Sequence, residues 1–330
     1  MTSESLEYAV PFEIASSSSY FPWRHRFAVV TAGATFVLIF VGGLVTSTGS
    51  SLSVPDWPLS YGQFFPPMVG GVFYEHGHRM VAGTVALFTA ALTLWTWREE
   101  PRAPVRRLAA FALVAILLQA VLGGVTVLLR LPTAVSVSHA ALAQAFFCLM
   151  VSLVVVTGRD WVSESRIGNA DAWLARLTVA TTGAVYLQLL LGAVMRHSGA
   201  GLAIPDFPLA YGRIVPEIGS FAVGIHFAHR AGALLVALLV LATAARAFQA
   251  RRADPRRTRL ALLLVLLLGI QLTLGATIIW SRKAVLPTTA HVAVGAALLA
   301  TSLVLALRCH RARESSQAWM AGAVAQRAHA

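Results

Sequence analysis

Charged residues are scarce in this sequence. Only 12% of its 330 residues are charged, whereas 57% are hydrophobic, and the mean hydropathy is +0.70. Soluble globular domains carry about 25% charged residues, so this composition excludes an ordinary soluble protein and predicts a polytopic membrane protein. The formal net charge of +12 does not indicate nucleic-acid binding, because the arginines lie in short loops between apolar runs and form no basic groove with stacking aromatics.

Cysteine is nearly absent, and the N-terminus lacks the features of a secretion signal. The two cysteines, Cys148 and Cys309, lie in or beside apolar runs. This placement excludes a disulfide framework and argues against a thiolate metal site. Residues 1–23 have neither a basic start nor a cleavage motif, so we expect them to belong to a cytoplasmic tail.

Eight apolar runs are each long enough for the ~20 residues of a membrane-spanning helix. Arginines are concentrated in every second loop between these runs, whereas the loop at 49–72 has no Lys or Arg. By the positive-inside rule, both termini are therefore predicted to lie in the cytoplasm. The predicted spans are 27–48, 73–95, 107–129, 134–157, 174–196, 221–246, 259–281 and 285–308.

The second half of the sequence repeats the first. The outer loops Gly49–Gly62 and Gly199–Gly212 share a Pro-Asp-aromatic-Pro pattern at a constant offset of 150 residues. Each repeat has an even number of spans, so both halves have the same orientation. We predict an all-α fold of two tandem four-helix bundles, related by a pseudo-twofold axis along the membrane normal. The predicted segments are an N-terminal tail (1–26), an N-terminal half (27–157), a cytoplasmic linker (158–173), a C-terminal half (174–308) and a C-terminal tail (309–330).

One histidine lies near the outer end of each span that runs from outside to inside: His78, His139, His229 and His291. Two imidazoles on facing helices of a bundle can bind one planar metal porphyrin axially. We therefore predict one such iron site in each half, formed by His78 with His139 and by His229 with His291. A lone membrane histidine is more often a hydrogen-bond partner for a neighbouring helix, but four at repeat-related positions favour ligation.

Other roles fit the histidines less well. Two imidazoles without thiolates do not complete a tetrahedral structural zinc site. The remaining histidines are expected to have structural or surface roles, and they are His25, His76, His197, His310 and His329.

The two halves differ beside the first histidine of each pair. Glu75 precedes His78 by three residues, and His226 occupies the same place before His229. Residues three apart share a helix face, so Glu75 and His78 are expected to face one space. An ionisable side chain in a membrane span costs roughly 2.5–3.5 kcal/mol and usually has a function. The N-terminal half is therefore predicted to be reactive, with a partly desolvated Glu75 that handles protons or orients a substrate.

Two further pairs of polar residues recur in both halves. Arg79 and Arg230 follow the first histidine directly. Each either reaches the outer surface as an interface anchor or binds the propionates of a porphyrin, and the sequence favours neither interpretation. Asp56 and Asp206 are expected to cap short helices in the outer loops rather than to take part in chemistry.

The duplicated Pro-Asp-aromatic-Pro loop, followed by Glu75-x-x-His78-Arg79 and by lone histidines in spans 4 and 8, resembles the heme A synthase family of cytochrome oxidase biogenesis. The resemblance covers residues 27–308. It implies oxidation of heme O to heme A, in which a ring methyl group becomes a formyl group through successive hydroxylations. It also implies that His229 and His291 hold a low-spin heme b, that His78 and His139 bind the substrate heme O, and that Glu75 is the essential glutamate.

The resemblance also implies partners and a location. The partners are the heme O synthase, cytochrome c oxidase assembly factors, membrane lipid and an electron acceptor of unknown identity. The location is a bacterial inner membrane. Whether the protein forms homo-oligomers is left open. Many bacterial members of the family carry a cysteine pair in the outer loops, which this sequence lacks. This departure puts thiol-based electron transfer in doubt.

Two other functions compete with this interpretation. A b-type cytochrome for membrane electron transfer would use the same bis-histidine bundles. Such carriers usually place their hemes at different depths, whereas these four histidines all lie towards one side. A transporter built from parallel repeats would explain the duplication but not the four matched histidines.

Overall fold

The computed structural model describes residues 20–163, 171–250 and 254–328, with side chains described as far as residue 312. Within these residues the fold is all-helical, with no strand beyond two isolated bridges. Eight of the helices are long and apolar enough to cross a membrane, which confirms the predicted polytopic all-α fold. The helices are α1 (Pro22–Ser47), α2 (Gly71–Glu99), α3 (Ala103–Leu128), α4 (Thr133–Thr157), α5 (Arg159–Ser163), α6 (Ala172–His197), α7 (Phe221–Gln249), α8 (Pro255–Trp280) and α9 (Val285–Ala328).

Local sequence signals set several helix starts. A proline lies in the first turn of α1, α3 and α8. Proline has no main-chain N–H, and in the first turn this costs no helical hydrogen bond, because an N–H there would have no acceptor within the helix. Asp171, Ser220 and Asp254 cap α6, α7 and α8, since each side chain accepts a main-chain hydrogen bond from the first turn. These caps satisfy N–H groups that a membrane interface would otherwise leave without a partner.

Each half forms a bundle in which consecutive helices pack side by side. In the N-terminal half, α1 contacts α2, α2 contacts α3, and α3 contacts α4, while α4 closes the ring on α1. The C-terminal half repeats this order with α6, α7, α8 and α9. The halves meet through α1 with α9 and α4 with α6. A twofold rotation that exchanges α1 with α6 and α4 with α9 converts one of these contacts into the other. The packing is therefore consistent with the predicted pseudo-symmetry.

Burial follows the same division into halves. One apolar core lies inside the N-terminal bundle around Leu92, Phe146 and Met150, and another lies inside the C-terminal bundle around Leu264 and Leu299. A third, smaller core, which includes Phe147 and Ala296, joins α4 to α9 between the halves. The two bundles are therefore held together by apolar packing along their shared face.

Most helices extend past the predicted spans, and α1 and α9 extend furthest at one end. α1 begins at Pro22, and its Arg24 is only 1% exposed, with Nη2 2.7 Å from Oε2 of Glu100 just after α2. This pairing across the bundle keeps a charged residue inside the helix packing. α9 continues to Ala328, through the segment predicted as a tail. Residues 1–19 of the N-terminal tail, 164–170 of the linker and His329 lie outside the described residues.

The outer loops repeat each other in detail. Both have a cis peptide before the second proline of the motif, at Trp57–Pro58 and Phe207–Pro208. Both also have a tyrosine with positive φ, Tyr61 and Tyr211, inside a tight turn closed by an isolated bridge. The hydroxyl of each tyrosine donates to a main-chain carbonyl eight residues earlier. The sequence repeat in these loops is therefore a structural repeat.

Candidate functional site

The four repeat-related histidines lie at matching places in the bundles. His78, His139, His229 and His291 follow the first residues of α2, α4, α7 and α9 by six to eight positions. In each half, the two helices that carry the histidines are diagonal partners in the bundle order. Each pair of imidazoles therefore comes from diagonally opposite helices of its bundle, within eight residues of the helix starts.

The two imidazoles of the C-terminal half lie close together. The ring centroids of His229 and His291 are 6.4 Å apart, with the ring planes inclined at 63°. A metal–imidazole bond measures about 2 Å, and each nitrogen lies about 1 Å from its ring centre, so two rings that share one metal have centres about 6 Å apart. The observed separation fits a single iron with both imidazoles as axial ligands.

Four glycines on the neighbouring helices face the histidines. A Cβ added at Gly42, Gly123, Gly192 or Gly275 would approach Cε1 of the facing histidine to 3.1, 3.0, 3.0 and 3.4 Å, respectively. Distances of 3.0 and 3.1 Å are shorter than most real Cβ contacts, whereas the 3.4 Å at Gly275 is an ordinary van der Waals contact. Each histidine of the quartet therefore faces a glycine, and in three cases the glycine leaves room that a larger residue would fill.

Three of the imidazoles have an unpaired nitrogen. Within the described residues, Nδ1 of His78, His139 and His291 is buried without a hydrogen-bond partner. Buried polar atoms without partners are rare in native proteins, and an unseen ion or cofactor is one explanation for them. The donor set, the spacing of His229 and His291 and the glycine contacts all fit a porphyrin iron.

Glu75 joins the first outer loop to α2. Its carboxylate accepts a hydrogen bond from the N–H of Val54 at 2.9 Å and another from Nη2 of Arg79 at 2.9 Å. Glu75 is 4% exposed, and a charge at such a site is stable only when it is paired and hydrogen-bonded. The carboxylate therefore holds the loop over the end of the N-terminal bundle, three residues from His78.

His226 performs the same anchoring in the other half. The N–H of Ile204, which is the repeat equivalent of Val54, donates to Nδ1 of His226 at 3.2 Å. An imidazole thus replaces the carboxylate as acceptor for the loop. The anchoring is common to both halves, and the negative charge of Glu75 is particular to the N-terminal half.

Arg79 and Arg230 clamp the outer loops. Each guanidinium donates to three main-chain carbonyls of the loop in its own half, at distances from 2.7 to 3.2 Å. The acceptors are Val54, Asp56 and Leu59 for Arg79, and Ile204, Asp206 and Leu209 for Arg230. This clamp is a role that neither interpretation from the sequence included, and the contact with propionates stays a prediction.

Asp56 and Asp206 close tight turns, whereas the sequence analysis expected them to cap short helices. Asp56 accepts hydrogen bonds from the N–H groups of Tyr61 at 2.7 Å and Gly62 at 2.8 Å, and Asp206 binds the two equivalent groups at 2.8 and 2.9 Å. These bonds, and that from the glycine N–H above all, hold the pKa of each aspartate below its usual value. Their role is to shape the loop.

The sequence analysis missed a polar pair in the N-terminal half. His76 and Ser60 are both buried, and Nδ1 of His76 lies 2.8 Å from the Ser60 hydroxyl. In the C-terminal half, the equivalent positions hold Phe227 and Ala210. A position-by-position comparison of the repeats would have found this pair, because both of its members change together.

The sequence analysis also missed a polar link between the halves. Nη2 of Arg196 on α6 donates to the carbonyl of Gly43 and to the hydroxyl of Ser47 on α1, each at 2.9 Å. The Ser47 hydroxyl also lies 3.0 Å from that of Thr289 on α9. These bonds join the two bundles near the depth of the histidines.

Comparisons with known proteins show similarity to one family. The family described as cytochrome oxidase assembly protein matches residues 25–71 and 70–303. Curated proteins named heme A synthase are also similar. The one from Shouchella clausii is 29% identical over 73% of this chain and 82% of its own length, and the one from Geobacillus kaustophilus is 28% identical over 87% and 92%. The one from Symbiobacterium thermophilum is 32% identical over 65% of this chain and 72% of its own length. The chain therefore belongs to the heme A synthase family of cytochrome oxidase assembly proteins.

Proposed function

We propose that this protein is a heme A synthase that oxidises the ring methyl group of heme O to a formyl group, which makes it an oxidoreductase. The observation that carries the proposal is the quartet of matched histidines. One pair has ring centres 6.4 Å apart, and each of the four imidazoles faces a glycine. The names of the similar proteins support the same reaction.

The two halves take different parts in this proposal. His229 and His291 hold a resident heme b as a low-spin cofactor, and a heme held by two imidazoles supplies electron transfer. His78 and His139 bind the substrate heme O. The polar groups particular to the N-terminal half, Glu75 and the Ser60–His76 pair, support the assignment of the reaction to that half.

Glu75 is the residue proposed to take part in the chemistry. Conversion of a ring methyl group to a formyl group, with water as the source of the oxygen atom, releases four protons and four electrons. The electrons pass to an electron acceptor, and the protons must leave the site. A carboxylate at the loop end of α2 can receive or guide them. The C-terminal half, with His226 at this position, has no carboxylate for the same task.

The proposal includes a location and partners. The protein lies in a bacterial inner membrane with both termini in the cytoplasm, as the arginines between its spans favour. The heme O synthase supplies the substrate, an electron acceptor removes the electrons, and assembly factors of cytochrome c oxidase receive the product. Lipid surrounds the apolar outer faces of the bundles.

The test is chemical analysis of cellular hemes. Hemes are extracted from cells that make heme O, with and without this protein, and are identified by reversed-phase chromatography. We expect heme A only in cells that contain the protein, and no heme A with the His78→Ala variant. Heme O alone, in cells whose protein is loaded with heme b, would instead identify a b-type cytochrome.

A further inference from the structure

Glutamine side chains from neighbouring helices support the histidine helices. Nε2 of Gln188 on α6 donates to the carbonyl of His229 at 2.7 Å and lies 3.0 Å from Nδ1 of the same residue. Nε2 of Gln119 on α3 donates to the carbonyl of His139 at 3.0 Å. Each amide therefore spans the gap between two helices and fixes the position of a histidine.

His78 lacks this support. The residue of α1 equivalent to Gln188 is Leu38, at the offset of 150 that also relates Gly42 to Gly192. This register is reliable, because both glycines face the first histidine of their own half. Leu38 is 9% exposed and offers no polar atom, and Nδ1 of His78 has no hydrogen-bond partner within the described residues. A glutamine amide thus holds the main chain of the first histidine in one half, and the equivalent position in the other half offers no side-chain donor.

This difference changes how tightly each histidine can hold a metal. A hydrogen bond that holds a ligating residue in place orients its imidazole, and the loss of such outer contacts typically lowers metal affinity about 10–100-fold. A resident cofactor needs a tight hold, whereas a site that takes up a substrate and releases a product needs a weaker one. Gln188 lies in the half proposed to hold the resident heme tightly, and Leu38 lies in the half proposed to bind and release heme.

We propose that Gln188 is a positioning residue that retains heme in the C-terminal half, and that Leu38 weakens retention in the N-terminal half so that substrate and product heme can exchange. The inference rests on the proposed function. It goes further, because it assigns the difference in heme lifetime between the halves to one pair of repeat-equivalent residues.

The first test replaces Gln188 by the residue of the other half. Purified Gln188→Leu is mixed in detergent with an excess of apomyoglobin, and the transfer of heme is followed by absorbance. We expect heme loss about 10–100-fold faster than from the unaltered protein, together with a shift of the low-spin electron paramagnetic resonance signal. Gln188→Met keeps the side-chain length and gives the same result if Gln188→Leu does not fold.

A matched control separates this effect from the general loss of a buried amide. Gln144 on α4 is buried, whereas Gln188 is partly buried, and the repeat equivalent of Gln144 is the apolar Ala296. No hydrogen bond joins Gln144 to a histidine within the described residues. Gln144→Leu therefore makes the same chemical change, and we expect it to leave the rate of heme b loss unaltered.

The reciprocal variant, Leu38→Gln, tests the other half of the inference. Purified from cells that make heme O, it should carry more heme per polypeptide than the unaltered protein, and the additional heme should be heme O or heme A. Its N-terminal heme should also transfer to apomyoglobin about 10–100-fold more slowly.

The outcomes distinguish this inference from the proposed function. Heme A production by the unaltered protein, with equal rates of heme loss from Gln188→Leu and the unaltered protein, overturns the inference and leaves the proposed function intact. If Leu38→Gln retains heme in its N-terminal half no better than the unaltered protein, the proposed role of Leu38 in weakening heme retention is overturned. A purified protein that never contains heme b overturns the proposed function itself.

Discussion

Substitution of Glu75 by histidine separates two roles of this residue, the anchoring of a loop and the chemistry of a carboxylate. The C-terminal half provides the precedent, because Nδ1 of His226 accepts the N–H of Ile204 at 3.2 Å just as Glu75 accepts that of Val54. Glu75→His should therefore keep the outer loop in place, beside an arginine that clamps the loop in both halves. The variant should nevertheless lose heme A formation, because it has no carboxylate.

The magnitude follows from the contacts of Glu75. Glu75→Ala leaves the Val54 N–H without its acceptor at 2.9 Å, which costs about 1–3 kcal/mol. It also removes the countercharge of Arg79, but Glu75→His removes the same charge, so this cost cancels when the two variants are compared. Glu75→His retains an acceptor for the loop, so we expect it to be about 1–3 kcal/mol more stable than Glu75→Ala.

Two measurements on the same preparations test this reasoning. Thermal unfolding in detergent compares the stability of Glu75→His and Glu75→Ala, and chromatography of extracted hemes measures product formation. We expect Glu75→His to unfold at a higher temperature, to keep the absorbance of heme b and to yield no heme A. Substantial heme A from Glu75→His would remove the carboxylate from the mechanism and reduce Glu75 to a loop anchor.

Three further predictions concern the C-terminal half. His291→Ala should lose the low-spin absorbance of heme b, and an unaltered spectrum would exclude this histidine as a ligand. Gly192→Ala places a Cβ 3.0 Å from Cε1 of His229 and should speed heme loss, whereas Gly183→Ala, with nothing within 4 Å, should not; equal rates would contradict the steric argument. The folded-state pKa of Asp206 is lowered, so its contribution to stability is complete above the unfolded value of about 3.9 and disappears as the pH falls through the folded value. The difference in unfolding temperature between Asp206→Asn and the unaltered protein should therefore persist at neutral pH and vanish in strong acid, and a difference that stays constant would refute this role.

The architecture could be predicted from the sequence because it depends on patterns that run along the chain. Apolar runs of sufficient length located all eight spans, and the constant offset between the outer loops identified the two halves. Nearly the same offset, 151 and 152 residues, paired His78 with His229 and His139 with His291. These inferences need only the length of a bilayer-spanning helix and the logic of a repeat.

The sequence analysis could not find contacts between residues far apart in the chain. Arg24 lies inside the helix packing because it pairs with Glu100, 76 residues later. A hydropathy profile shows only that an arginine lies at the end of a span and gives no information about its partner. The position of Glu75 on a helix face predicted a shared space with His78. The bond to Val54 depends on how the loop folds back, and no helical periodicity contains that information.

Asymmetry between the repeats was harder to interpret than their similarity. The exchange of Glu75 for His226 was visible, because both lie beside a candidate ligand. The exchange of Gln188 for Leu38 lies on a different helix from the histidine, about ten residues before the outer loop. Its meaning appears only when the packing brings α6 against α7 and places the amide 2.7 Å from the His229 carbonyl.

The most direct test of the account is the identity of the heme retained when one histidine pair is removed. Two double variants, His78→Ala with His139→Ala and His229→Ala with His291→Ala, are purified from cells that make heme O, and their bound hemes are extracted and identified by chromatography. The account predicts that the first variant keeps heme b and carries neither heme O nor heme A, whereas the second loses heme b. Loss of heme b from both variants alike, or its retention in both, would contradict the assignment of one histidine pair to each heme.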